Sequence, residues 1–429
     1  MKKFIKRQIY QIKQGGRKVL VRKIKLLFGK LFKLPLYILA IPAVLILRII
    51  RPWLLVRLGK MINSRIGHFA INTELYLCER DAGMNVPNQR HIDVLFMGYR
   101  PTCNQQLAIM WHRVLRIWPA WILAPINAVS RLIPGGKLHD IKSTGGRDLF
   151  NLLDQFPPHI QFTPEEDTRG EAGLRAMGIP IDAMFVCLNV RDGAYLAEQL
   201  GVGSSDLFNY HNYRDSDVQN YMLAAETLAD RGFFVIRMGA NVHAAINNTH
   251  PKVIDYATNG MRSDFMDIYL GAKCHFTIST GSGWDSIPEI QRRPIVYVNY
   301  GPVGYLSTFR NLSISIVKHH SFLEENRELT LSEIFTHGVG FCMKTSDYET
   351  KGVDLIENTP EEIRDVTIEM AERLNDTWQE HPEDEALQQR FCELFPTDAV
   401  DARMGNPLHG EIRARFGAEF LRNNPEWLK

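Results

Sequence analysis

Residues 275–299 read HFTISTGSGWDSIPEIQRRPIVYVN. The apolar stretch 275–279 ends in Thr280, Gly281, Ser282 and Gly283; a helical stretch follows over 284–292, and a second apolar stretch runs from 295 to 299. Upstream the alternation continues, with strands expected at 184–190 and 233–238 and helices at 217–231, closed by Gly232, and at 264–272. Strands that are apolar throughout and joined by helices belong to a parallel sheet covered on both faces. This half of the chain is therefore expected to be α/β.

A weaker form of the pattern fills the first half, with a helix over 70–78, a strand at 92–97 and a helix opening at Thr102. Residues 107–132 are rich in Trp, Leu, Ile and Arg, Trp111, Trp118 and Trp121 among them, and fit either a core helix or a second membrane-contacting surface. A polar connector with Gly and Pro, 157–180, marks a boundary. With 429 residues, 45% of them hydrophobic and 23% charged, the chain has ordinary globular composition and room for two or three domains.

The net charge of +2 conceals an asymmetry: residues 1–60 hold 16 Lys and Arg and no acid, the first acidic residue being Glu74. Apolar residues are interleaved with these bases from Phe4 to Phe32, the pattern of a basic amphipathic helix broken near Gly15 and Gly16. Nucleic acid is a poorer partner for it than an anionic membrane surface, because no zinc or recognition-helix signature accompanies the bases. The uncharged run 34–47, interrupted by Pro35 and Pro42, is shorter than the roughly 20 apolar residues a straight span needs. It reads as a monotopic or re-entrant anchor ahead of a transmembrane helix or a buried helix, which places the body peripherally on the cytoplasmic face of a membrane. The expected division is a 1–60 anchor, Rossmann-like lobes at 61–165 and 166–345, and an acidic helical segment at 346–429. Six cysteines without paired spacing read as core thiols.

Ligands of open parallel sheets bind beyond the carboxyl ends of the strands. Arg191 and Asp192 follow the 184–190 strand, Arg237 closes the 233–238 strand with Gly239 after it, and Ser279 to Gly283 (Ser279, Thr280, Gly281, Ser282, Gly283) link a strand to a helix. Arg214 lies just before the 217–231 helix. A Gly/Ser turn at a helix start offers backbone N–H groups to a phosphate, and arginine offers a permanent forked charge. Each feature has a plain reading as a tight turn or a surface charge; their joint placement points to a phosphate site. Neither a Walker A loop nor a dinucleotide fingerprint is present. No carboxylate pair suited to a metal stands at a strand end, and Asp264 and Asp267 read as cap and surface residues.

The runs FVCLNVRDGAY (185–195), HNYRDSDVQNY (211–221), VIRMG (235–239) and DIYL (267–270), with the 279–285 loop, RIGH (65–68), ELYL (74–77) and FTPEE (162–166), together resemble a family of bacterial surface-polysaccharide glycosyltransferases. Its second lobe is similar to that of fucosyltransferase-like enzymes of the GT-B type. The resemblance spans about residues 60–345 and implies a nucleotide-sugar donor in the second lobe, an acceptor facing the first lobe and the membrane, and no metal or other cofactor. The fucosyltransferase-like pattern has a His two residues before the Arg, where this chain has Asn189, so a GDP-sugar is not implied.

On that reading Arg191, helped by Arg237 and the loop amides, neutralises the leaving diphosphate, with Arg214 in reserve. His68, in a Gly-His turn at a strand end, and Asp192 are the candidate bases for a polyprenyl-linked glycan acceptor. Glu289 stands where such folds often hold a ribose. His68 as a cap, Asp192 as an orienter of Arg191 and Glu289 as a solvated side chain are the plainer readings. The rival functions are a nucleotide-sugar epimerase of the same fold, which needs no acceptor, and a non-catalytic membrane scaffold.

Overall fold

The structure, a computed structural model, describes residues 34–142, 145–193, 209–402 and 405–429 with three isolated positions, 16, 19 and 21; of 209–211 it describes the backbone alone. The amphipathic helix expected over residues 4–32 lies outside the described residues. The chain divides into two compact units, one made of residues 1–62, 86–100 and 115–142 and the other of 63–85, 101–114 and 143–429.

In the first unit, β1 (Leu55–Met61) pairs in parallel with β2 (His91–Met97). Single parallel bridges from Leu58 to Asp140 and from Leu95 to Ile117 widen this two-stranded sheet. Val56, Leu58, Val94, Phe96 and Leu123 form its core, beneath the helices Leu34–Ile50 and Ala120–Leu132. Arg57 and Asp93 are direct cross-strand neighbours, and two 2.6 Å hydrogen bonds join the buried guanidinium to the buried carboxylate. A base is tolerated inside this strand because its counter-ion is its neighbour. The expected 1–60 anchor overlaps β1, and the described residues of this unit form a short parallel sheet covered by helices.

The second unit follows the alternation read from the sequence. Its strands are β3 (Phe185–Asn189), β4 (Phe234–Arg237), β5 (Val253–Ile254), β6 (Thr277–Ser279), β7 (Ile295–Tyr300), β8 (Ser313–Val317), β9 (His319–Phe322), β10 (Arg327–Glu328), β11 (Val353–Ile356) and β12 (Arg415–Phe416). Seven of them make one sheet in the order β12-β8-β7-β6-β3-β4-β5, every neighbour parallel. Side chains alternate across it as a pleat requires. Val186, Leu188 and Val235 pack with Leu228, Ile363 and Val366, whereas Phe185, Cys187 and Ile236 pack on the other face with Phe265, Tyr269 and Leu270.

The segment 346–429, expected to be helical, also supplies β11 and β12, the latter as the edge strand beside β8. The polar connector expected at 157–180 holds a 13-residue helix, Pro164–Ala176. Thr163 accepts the Glu166 amide while the Glu166 carboxylate accepts the Thr163 amide, and Pro164 opens the first turn; the three together make a strong helix start.

Candidate active site

At the carboxyl edge of the seven-stranded sheet, β6 runs into the loop 280–285 and then the short helix Ser286–Ile290. Asp285 organises that loop. Its buried carboxylate accepts the Ser282 amide at 2.5 Å, the Ser279 hydroxyl at 2.7 Å and the Asn189 side-chain amide at 2.8 Å. Ser279 Oγ accepts the Gly281 amide at 3.1 Å, and Ser282 Oγ accepts the Trp284 amide at 3.2 Å. The Thr280 amide points to the Asn189 carbonyl. Three of the amides that the sequence reading aimed at a phosphate, those of Thr280, Gly281 and Ser282, thus already have acceptors. A carboxylate standing in the cradle also opposes an anion there, so the loop is a rigid support more than a phosphate nest. Gly281 has φ +82° and lies so close to the Tyr300 ring that a Cβ would approach it to 2.7 Å, and both features call for glycine.

The positive charge stands one strand over. The Arg191 amide donates to the Thr280 hydroxyl at 3.0 Å, which fixes the chain leaving β3 against the loop leaving β6. Ser216 donates to the Arg191 carbonyl at 3.1 Å and brings the 212–216 segment alongside. Arg191 Nε is 3.1 Å from the Asp215 carboxylate, and Arg214 donates to the Gly281 carbonyl. Arg214 Nε is buried and has no acceptor among the described residues. Burial, and next the Arg214 cation beside it, pull the Arg191 pKa below the ordinary guanidinium value. Two guanidiniums thus stand side by side at this edge, with the carboxylates of Asp215 and Asp285 acting on them.

Lys318, just past the end of β8, completes the cluster. Its buried ammonium donates to the Asp215 carbonyl at 2.7 Å and lies 3.9 Å from Glu357. Sequence reading missed Lys318 because it counted strand ends only as far as β7. Burial raises the Asp215 pKa, against the pull of Arg191 and Lys318.

Other candidates fall differently. Arg237 is buried and donates to the Ala244 carbonyl at 2.7 Å, with Asp255 at 3.2 Å; it ties the chain after β4 together and is not a free ligand for phosphate. Gly239 packs so tightly that a Cβ would come within 2.6 Å of Val242. Asp192 accepts the His243 amide at 2.9 Å. His68 lies in the first turn of the Ile66–Asp81 helix, not in a turn at a strand end. It is exposed, and its neighbour Gly67 meets the loop directly: a Cβ on Gly67 would come within 3.1 Å of Gly283. The fold therefore brings His68 next to the 280–285 loop.

Glu289 sits on the short helix among charged neighbours. Burial pushes its carboxyl up to about 7, with Asp148 and Asp285 adding to the shift and Arg310 and Arg147 opposing it. Asp264 accepts the Gln105 amide at 2.8 Å, whereas Asp267 is buried and bonded to Tyr256 and Arg262 instead of being a surface residue.

Away from this edge, Glu74, Cys78 and His159 bring one donor atom each within 4.8 Å of one another, a spacing a metal ion could use. Here Glu74 Oε1 is shared by Arg292 at 2.7 Å and His159 Nδ1 at 3.0 Å, and His159 Nε2 is 2.9 Å from Asp81. Two cations already fill that position.

No family model matches the chain, and no curated protein matches it. Among solved structures, ADP-heptose LPS heptosyltransferase II of E. coli is similar at 13% identity and TM-score 0.38, covering 61% of this chain and 90% of that one. A glycosyl transferase family 9 protein of Veillonella parvula is similar at 11% identity and TM-score 0.41, covering 74% of this chain and 96% of that one. TM-scores of this size do not establish a shared fold.

Proposed function

We propose that the chain is a glycosyltransferase that moves a sugar from a nucleotide-sugar donor to a membrane-held glycan acceptor. The observation that carries the reading is the pair Arg191 and Arg214. Both stand at the carboxyl edge of a parallel sheet, where such sheets bind ligands, and each feels the other's charge. A diphosphate set against the two guanidiniums gains negative charge as the glycosidic bond breaks, which is stabilisation specific to the transition state. The forked guanidiniums do the work that a divalent ion does elsewhere, so the transfer is metal-independent. Lys318 holds the Asp215 backbone and keeps the pair in place.

His68 is the better of the two candidate bases, being exposed beside the loop, whereas Asp192 is engaged by the His243 amide. Glu289 takes the ribose hydroxyls. The acceptor is a polyprenyl-linked glycan, and the GT-B relationship and the fucosyltransferase-like second lobe are parts of the same proposal, as is the cytoplasmic-face location, which the basic N-terminal sequence supports.

The test is turnover by the detergent-purified full chain with labelled nucleotide sugars and a polyprenyl diphosphate-linked glycan. Nucleoside diphosphate release that needs the acceptor supports transfer. An isomerised sugar nucleotide formed without acceptor supports the epimerase reading, and neither product from any donor leaves a non-catalytic scaffold.

A further inference from the structure

The first unit carries an apolar face that water does not account for. The Leu34–Ile50 helix buries Ala40 and Val44 against Val129 of the Ala120–Leu132 helix, and Arg48 fastens it by donating to the Ser130 carbonyl and hydroxyl at 3.2 Å. Most of its other side chains face outward: Ile38 is 58% exposed, Leu39 67%, Ile46 57% and Ile49 67%. Aromatic side chains join them in the same unit, with Trp53 73%, Trp118 53% and Trp121 59% exposed, and Tyr99 near Tyr37 donating to the Ala120 carbonyl at 3.1 Å. Soluble surfaces rarely gather so many large apolar groups.

We infer that this face seats in the interface of an anionic bilayer, with the Leu34–Ile50 helix lying on the membrane and Trp118 and Trp121 at headgroup level. At about 1.5 Å per residue its 17 residues reach about 25 Å, less than the roughly 30 Å hydrocarbon core. No described helix is long and apolar enough to cross a membrane. The helix is also packed on its own unit, so it offers one side to lipid as a monotopic helix does. Charge selects the occupant. The described residues of this unit include ten Lys and Arg and only two acids, Asp93 and Asp140, which are paired with Arg57 and Arg131. A second copy would bring the same charge to the contact and be repelled, whereas anionic headgroups complement it. Indole rings that are apolar in body and polar at one edge suit the same boundary.

This inference rests on the membrane reading above but assigns the contact to the folded face, where that reading needs only the basic N-terminal sequence. Full-length protein is mixed with vesicles of phosphatidylcholine alone or with phosphatidylglycerol, with brominated acyl chains as the tryptophan quencher. The inference predicts binding to the anionic vesicles with strong quenching that is largely lost in Trp53→Phe/Trp118→Phe/Trp121→Phe, since the other four tryptophans lie in the second unit. It further predicts that Ile38→Glu/Ile46→Glu weakens binding about tenfold or more with an unchanged Tm. Anionic-vesicle binding with no quenching difference in the first variant and no loss in the second overturns the face as the contact and leaves the N-terminal sequence as the anchor. Failure of the full chain to bind anionic vesicles overturns both.

Discussion

The side-chain amide of Asn189 donates to the carboxylate of Asp285 at 2.8 Å, and this bond helps join the end of β3 to the loop that leaves β6. The two strands are neighbours in the sheet, so the contact sets the spacing between Arg191 and the 280–285 loop. Asp285→Ala strips the acceptor from the Ser282 amide, the Ser279 hydroxyl and Asn189 together. It is expected to cost about 2–4 kcal/mol in urea unfolding and to weaken donor binding, even though Asp285 itself repels phosphate. A loss of stability under about 0.5 kcal/mol contradicts the structural role given to it.

Gly67 and Gly283 meet without side chains between them. Gly67→Ala puts a methyl 3.1 Å from the Gly283 backbone, so the Ile66–Asp81 helix has to shift away from the loop. Loss of about 1–2 kcal/mol is expected, together with a fall in kcat larger than any rise in KM, because His68 moves with the helix. An unchanged kcat argues against His68 as the base.

Glu289 gives a pH signature. Its folded pKa, about 7, lies above the ordinary 4.5, so the fold disfavours the ionised carboxyl. The sign follows directly: stability is greatest below about 4.5 and declines as pH rises to about 7. Glu289→Gln removes that decline. The variant is expected to match wild type at pH 5 and exceed it at pH 8 by about 1–3 kcal/mol, while losing affinity for the donor. Parallel Tm curves for the two proteins across this range speak against the assignment.

His159 behaves in the opposite sense. Burial opposes its charge, but hydrogen bonds to Cys78 and Glu74, the Glu74 charge and the bond to Asp81 outweigh it and raise the imidazole to about 10. A raised base contributes stability that is complete below its ordinary 6.5 and disappears as pH climbs from there to about 10. His159→Gln is expected to cost about 1–3 kcal/mol at pH 6 and progressively less toward pH 10, read from Tm against pH. A constant deficit excludes a charged His159.

The second half of the fold was legible because its information is local. Each of β3, β4, β6 and β7 is a short apolar run bounded by polar turn residues, and the structure places all four within one or two residues of expectation. The first half depended on distant partners. Arg57 made the 55–61 strand look like part of a basic leader, and only Asp93, 36 residues later, shows it to be a cross-strand ion pair. Arg237 looked available until Asp255 and the Ala244 carbonyl claimed it. The Pro164–Ala176 helix had a readable start in Thr163, Pro164 and Glu166, but polar composition suggested a linker.

The candidate site was half legible for a related reason. A Gly/Ser loop before a helix advertises its amides, yet whether those amides are free depends on Asp285, whose carboxylate folds back on them. Arg191 and Arg214 were singled out from their place beside strand ends and helix starts, and the structure brings the two together. Lys318 was not, because its role follows from where β8 sits in the sheet and not from its neighbours in sequence.

The account stands or falls on the Arg191 and Arg214 diphosphate site. The most direct measurement is thermal stabilisation of the detergent-purified full chain by UDP, GDP, CDP, ADP and dTDP, each with and without Mg²⁺, in wild type, Arg191→Ala and Arg214→Ala. The account predicts a shift for one nucleotide that does not need the metal and disappears in both variants. A shift that survives both substitutions, or none for any nucleotide in folded wild-type protein, contradicts it.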